Sequence, residues 1–166
     1  MLGLAPNTAY LILFLATLPI SFWVIWSDLK FMKIPNKAVI AMLAIFVVVG
    51  LMVIPFEVWL WRWTHFIVIL IVGIVLNATI HFGAGDAKYA AAAAPFIALN
   101  PSSIRLLLVL LAAVTLSAFV THRLARSIPA LRGLAPDWLS WSRKDFPFGV
   151  PLAGTLSAYL AIYAMG

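Results

Sequence analysis

The sequence predicts an all-α polytopic membrane protein, one bundle of six transmembrane helices spanning residues 1–166. Three observations predict it. Hydrophobic residues make up 65% of the chain and charged residues only 10%, a balance that a soluble domain of 166 residues could not bury. The apolar residues form six continuous runs, at roughly 10–26, 38–54, 66–81, 87–99, 104–121 and 148–165. Continuous runs favour helices over barrel strands, and most are long enough at ~1.5 Å per residue to cross or nearly cross a ~30 Å hydrocarbon core. The basic residues also alternate by connection: Lys30, Lys33, Lys37, Lys88, Arg123, Arg126, Arg132, Arg143 and Lys144 fall on one side, and only Arg62 and Arg105 on the other. The positive-inside rule makes the rich side cytoplasmic and leaves both termini outside. The net charge of +6 then reads as a topology signal and a contact with anionic lipid, not as a nucleic-acid surface.

The elements follow in order. Met1–Ala9 carries no Lys or Arg, so the first run is expected to be a helix of the bundle and not a cleaved secretory signal. Asn7 or Thr8 is placed to cap it, and Pro19 to kink it. Pro35 bars Ile34 from helix, and Asn36 is expected to cap helix 2. Trp59, Trp61 and Trp63 are expected in an outer turn as an aromatic belt, with Arg62 and His65 solvated beside them. Asn77, inside helix 3, is expected to face another helix. The fourth run is short and rich in alanine (Ala87, Ala90–Ala94), which suits close packing, with helix 1 the expected neighbour. The connection 121–147 is expected to lie in the inner interface, with Asp145 beside Lys144 or Arg143.

Two acids stand out in this apolar chain. Asp28 lies where helix 1 leaves the membrane, and Asp86 where helix 4 enters it from the same side. Asp86 follows Gly83-Ala84-Gly85, and glycines two apart can take positive φ and let another backbone approach closely. The chain has no cysteine, which excludes disulfides, thiolate metal sites and a cysteine nucleophile, and no paired histidines suggest a metal. No cofactor is expected. Acids at membrane edges also mark ion paths, so a small proton-coupled transporter component is the alternative function.

Three stretches together resemble the type IV prepilin peptidases, the GxGD aspartic proteases of bacterial inner membranes. They are Asp28 with the basic residues and Ile34-Pro35-Asn36 after it, Gly83-Ala84-Gly85-Asp86-Ala87-Lys88, and Phe146-Pro147-Phe148-Gly149. The resemblance implies Asp28 and Asp86 as the catalytic acids, with Gly83, Gly85, Lys88, Pro35, Asn36, Pro147 and Gly149 in support. It implies substrates that are prepilins or pseudopilins carrying a short leader ending in Gly, cut at the cytoplasmic face. The chain lacks the cysteine-rich domain of larger members, which puts N-methylation in doubt. It looks most like the compact tight-adherence (Tad) pilus branch, whose substrates are Flp-type pilins.

The chemistry needs one ionised and one protonated carboxyl, since two acids sharing a site do not both ionise cheaply. The helix dipoles of helices 1 and 4 assign Asp86, near a helix N-terminus, as the base and Asp28, near a helix C-terminus, as the acid.

Overall fold

The computed structural model describes residues 2–166, and over them the chain is helical with no strand. Seven helices form: α1 (Pro6–Phe31), α2 (Asn36–Val53), α3 (Phe56–Ile80), α4 (Ala84–Ala93), α5 (Pro101–Ser127), α6 (Pro129–Leu134) and α7 (Gly149–Met165). Four of them, α1, α2, α3 and α5, are long and apolar enough to cross a membrane, and α7 is a shorter apolar helix of 17 residues. The chain is a polytopic membrane protein. Six spans were expected, the fourth of them short, and it departs most from a span. There α4 runs for 10 residues and tightens into a 3-10 turn at Ala94–Phe96, because Pro95 withdraws a backbone donor and Ile97 turns extended.

The helix ends also lie beyond the apolar runs. α1 begins with Pro6 in its first turn and continues past Asp28 to Phe31, where Met32 takes a left-handed conformation (φ 52°) and its N–H donates to the Asp28 carbonyl at 2.9 Å. α3 starts ten residues before its expected bound, so Trp59, Trp61 and Trp63 sit on its first turns and not in a loop. Trp61 faces outward, whereas Trp59 and Trp63 pack on Phe46 with ring centroids 6.1 and 5.3 Å away. Residues four apart share a helix face, which is why these two turn inward together. The Trp59 indole also donates to the Phe46 carbonyl at 2.9 Å, where α2 widens into a π turn over Phe46–Gly50.

Arg62 is buried and not solvated: its guanidinium donates to the Pro95 and Phe96 carbonyls, both at 3.4 Å, in the turn that ends α4. Asn77 is exposed and does not face another helix. Its amide donates to the Phe82 carbonyl, in the turn that follows α3. Asn36 is the first residue of α2 and caps nothing, while Asn100 caps α5 by accepting from the Ser103 N–H at 2.8 Å.

The core lies between α1, α2, α4 and α7. α7 packs along α1 and also meets α5, and α4 is held by α3, α2 and α7. The small residues of α4 therefore bring it against α3 more than against α1. A Cβ added at Gly73 of α3 would lie 2.7 Å from the Ala87 Cβ, so the two helices touch through a glycine and an alanine. The connection after α5 is pinned by Arg123 on the Lys144 carbonyl and Arg126 on the Arg143 carbonyl, both at 2.8 Å. Among the described residues Asp145 makes no ion pair and the ion pair is Lys30 with Asp137 at 2.6 Å, joining the end of α1 to this connection.

Gly73→Val should wedge α3 from α4. We expect it to lower stability by roughly 1–3 kcal/mol, read as a lower thermal midpoint in detergent, while Gly133→Ala, where an added Cβ meets nothing, should leave the midpoint unchanged.

Candidate active site

Asp28 occupies the last turn of α1 and is only 5% exposed. The buried stripe of α1 leads to it through Leu13, Thr17, Ser21 and Val24, so one helix face carries both the core contacts and the acid. A buried carboxylate needs donors. The Gly149 N–H supplies one, donating to Asp28 Oδ2 at 2.7 Å. Gly149 is the first residue of α7, and its N–H is one of the donors a helix start leaves free. Asp28 thus lies at the C-terminal end of α1 and on the N-terminal end of α7 at once. A side chain at position 149 would place its Cβ 2.9 Å from Asp28 Oδ2 and 3.0 Å from Ile34 Cδ1, which only glycine avoids.

Asp86 sits in the first turn of α4. Burial first, and the neighbouring Asp28 carboxylate second, push its pKa up to about 7 from the usual carboxylate range. Gly83 serves it by space and not by positive φ, since Gly83 has φ −54° and Gly3 is the described glycine with positive φ. Any side chain at Gly83 would overlap Asp86 Oδ2, whereas one at Gly85 would meet Ile34 Cβ at an ordinary 3.4 Å.

Both acids line one cavity of about 310 Å³, together with Met32, Lys33, Ile34, Asn36, Gly83, Ala84, Gly85 and Lys88. The turn between α1 and α2 forms one wall and the turn into α4 the other. Of the residues expected at the site, Asp28, Asp86, Gly83, Gly85, Asn36 and Lys88 meet in this cavity. Gly149 holds Asp28 from behind, Pro147 is fully buried in the approach to α7, and Pro35 shapes the α1–α2 turn as the residue before α2 (φ −66°, ψ 136°).

Three further residues shape the site. Ser27 Oγ donates to the Lys33 carbonyl at 2.9 Å and ties the turn back onto α1. Its position beside Asp28, at a helix end, was the available sequence signal. Phe82 and Phe148, one residue before Gly83 and Gly149, meet edge to face with centroids 5.8 Å apart and join the two turns that serve the two acids. Nothing local in the sequence marks Phe82, because its partner is 66 residues away.

Fold and cavity define a helical membrane protein with two carboxyl groups turned into one small polar pocket. The chain belongs to the type IV leader peptidase family: the family's model matches residues 8–121, more than two thirds of the chain and a stretch containing both Asp28 and Asp86. No curated protein and no solved structure matches it. Gly149, the donor to Asp28, lies beyond the matched stretch.

The two glycines before Asp86 should separate by function. Gly83→Ala should displace the Asp86 carboxylate and cut activity by on the order of a hundredfold with little change in thermal midpoint, because the clash is with a movable side chain. Gly85→Ala should keep most of the activity. Cleavage rates and melting curves of the two variants check this.

Proposed function

We propose that this chain is a membrane-embedded aspartic endopeptidase that removes the leader of type IV prepilins or pseudopilins, of the Flp type handled by the tight-adherence branch. The observation that carries the reading is that Asp28 and Asp86, far apart in sequence, line the same cavity. Membership of the leader peptidase family supports the substrate class. Lys33 and Lys88 line the cavity with the acids, which supports a site at the cytoplasmic face of the inner membrane, where a leader just before a membrane-inserted segment would be reached.

The roles of the two acids are the reverse of those that the dipoles of α1 and α4 alone suggest. The Gly149 N–H and the N-terminus of α7 stabilise an anion on Asp28, a contribution that reasoning from α1 alone omits. Asp86, pushed up by burial and by that anion, keeps the proton. Asp28 then takes a proton from water as the water oxygen attacks the scissile carbonyl carbon. Asp86 gives its proton to the carbonyl oxygen, so the tetrahedral intermediate forms as a neutral gem-diol. On collapse the C–N bond breaks, the leaving nitrogen takes the proton now on Asp28, and Asp86 recovers one from the hydroxyl that becomes the new carbonyl. The dyad ends as it began, and no covalent intermediate forms.

Purified protein should release a Gly-ended leader from a pilin peptide. Asp28→Ala and Asp86→Ala should each abolish release, and cleavage surviving either substitution would rule out the dyad. The rate should fall as pH rises through about 7, where Asp86 loses the proton it must donate, and should fall again in acid, where the pair takes up a second proton. A rate still rising above pH 8 would contradict the assignment of Asp86.

A further inference from the structure

Beneath the acids lie three buried hydroxyls that the proposed chemistry does not use. Ser21 on α1, Tyr89 on α4 and Thr155 on α7 are 1%, 0% and 3% exposed, and none has a hydrogen-bond partner among the described residues. Each belongs to one of the helices that carry the site. Ser21 lies two turns before Asp28 on the same buried face of α1, about 10 Å along the helix. Thr155 lies six residues after Gly149, about 9 Å along α7. α1 and α7 pack side by side and are pinned end to end where Gly149 meets Asp28, so Ser21 and Thr155 come to the same depth. Tyr89 is one turn beyond Asp86, and its hydroxyl and that of Ser21 face each other without closing a hydrogen bond of ordinary length.

The hydroxyls are not idle for want of local acceptors. A helical Ser or Thr can donate to a carbonyl of its own preceding turn, and Thr17, one turn from Ser21, does so, donating to the Leu13 carbonyl at 2.9 Å. Ser21 and Thr155 make no such bond and leave their hydroxyls to the bundle interior. A buried polar group without a partner is costly, and several converging hydroxyls give a buried water the two to four partners it needs.

We propose that Ser21, Tyr89 and Thr155 hold a buried water that ties α4 to α1 and α7 and so sets the spacing of Asp28 and Asp86. α1 and α4 share few direct contacts compared with those α1 makes to α7 and α4 makes to α3, so this polar link is the direct brace between the two helices that carry the acids. The three are positioning residues, and their effect on cleavage rests on the protease reading above.

Two measurements test the proposal. X-ray hydroxyl-radical footprinting marks buried side chains that touch bound water. Tyr89 should be modified in the wild type despite its burial, and should lose that modification in Ser21→Ala and in Thr155→Val. An unmodified Tyr89, or modification that both substitutions leave unchanged, would overturn the site. In cleavage assays, Tyr89→Phe and Ser21→Ala should each lower kcat by on the order of tenfold with KM unchanged. Their combination should be no worse than either alone, and Thr155→Ser should restore what Thr155→Val loses. Losses that add, or an unchanged kcat, would overturn the positioning role. Should Tyr89→Phe fail to fold, Ser21→Ala and Thr155→Val decide both questions. Footprinting needs no activity, so a wild type that cuts nothing would count against the protease reading while the water site was still decided.

Discussion

The hydrogen bond from the Gly149 N–H to Asp28 Oδ2 is the contact on which the rest of the site depends. It joins the end of the first helix to the start of the last, across 121 positions of sequence. It places a negative side chain where a helix N-terminus offers a free donor, which offsets part of the cost of burying that carboxylate. It also explains why position 149 has no side chain, since a methyl there would press on both Asp28 and Ile34. One bond therefore fixes the orientation of Asp28, the register of α7 against α1, and the asymmetry between the two acids.

Asp86 is delivered by different means. α4 is short and thin, and its alanines let α3 approach until Gly73 touches Ala87. α2 and α7 complete the enclosure, so the two acids meet through the helices between them more than through packing of α1 on α4. Phe82 on Phe148 joins the turn into α4 to the entry of α7, and Ser27 on the Lys33 carbonyl ties the α1–α2 turn back onto α1. Among the described residues Asp86 has no hydrogen-bond donor, and burial and then the neighbouring Asp28 carboxylate push its pKa up to about 7.

Much of this was legible in the sequence, for physical reasons. Continuous apolar runs leave little choice but membrane helices, and two acids in such a chain draw attention because their cost must be met somewhere. The failures have equally definite causes. Helix bounds read from hydropathy stop where polarity begins, yet α1 and α5 continue as helix through Lys30 and Arg126. Arg62 looked like a surface cation, because no local pattern shows that Pro95 and Phe96, more than thirty residues on, turn their carbonyls toward it. The glycines before Asp86 looked like sites of positive φ, but Gly83 is needed for the room it leaves a carboxylate. The dipoles of α1 and α4 leave out α7, whose N-terminus is brought to Asp28 by tertiary packing alone.

We propose that the two acids share one proton and that Asp86 holds it. Infrared difference spectroscopy of the resting protein just below pH 7 tests this, through the carbonyl stretch of a protonated carboxyl group. One such band is expected, retained in Asp28→Asn and lost in Asp86→Asn. A band lost in Asp28→Asn and retained in Asp86→Asn, or no band in the wild type, would contradict it.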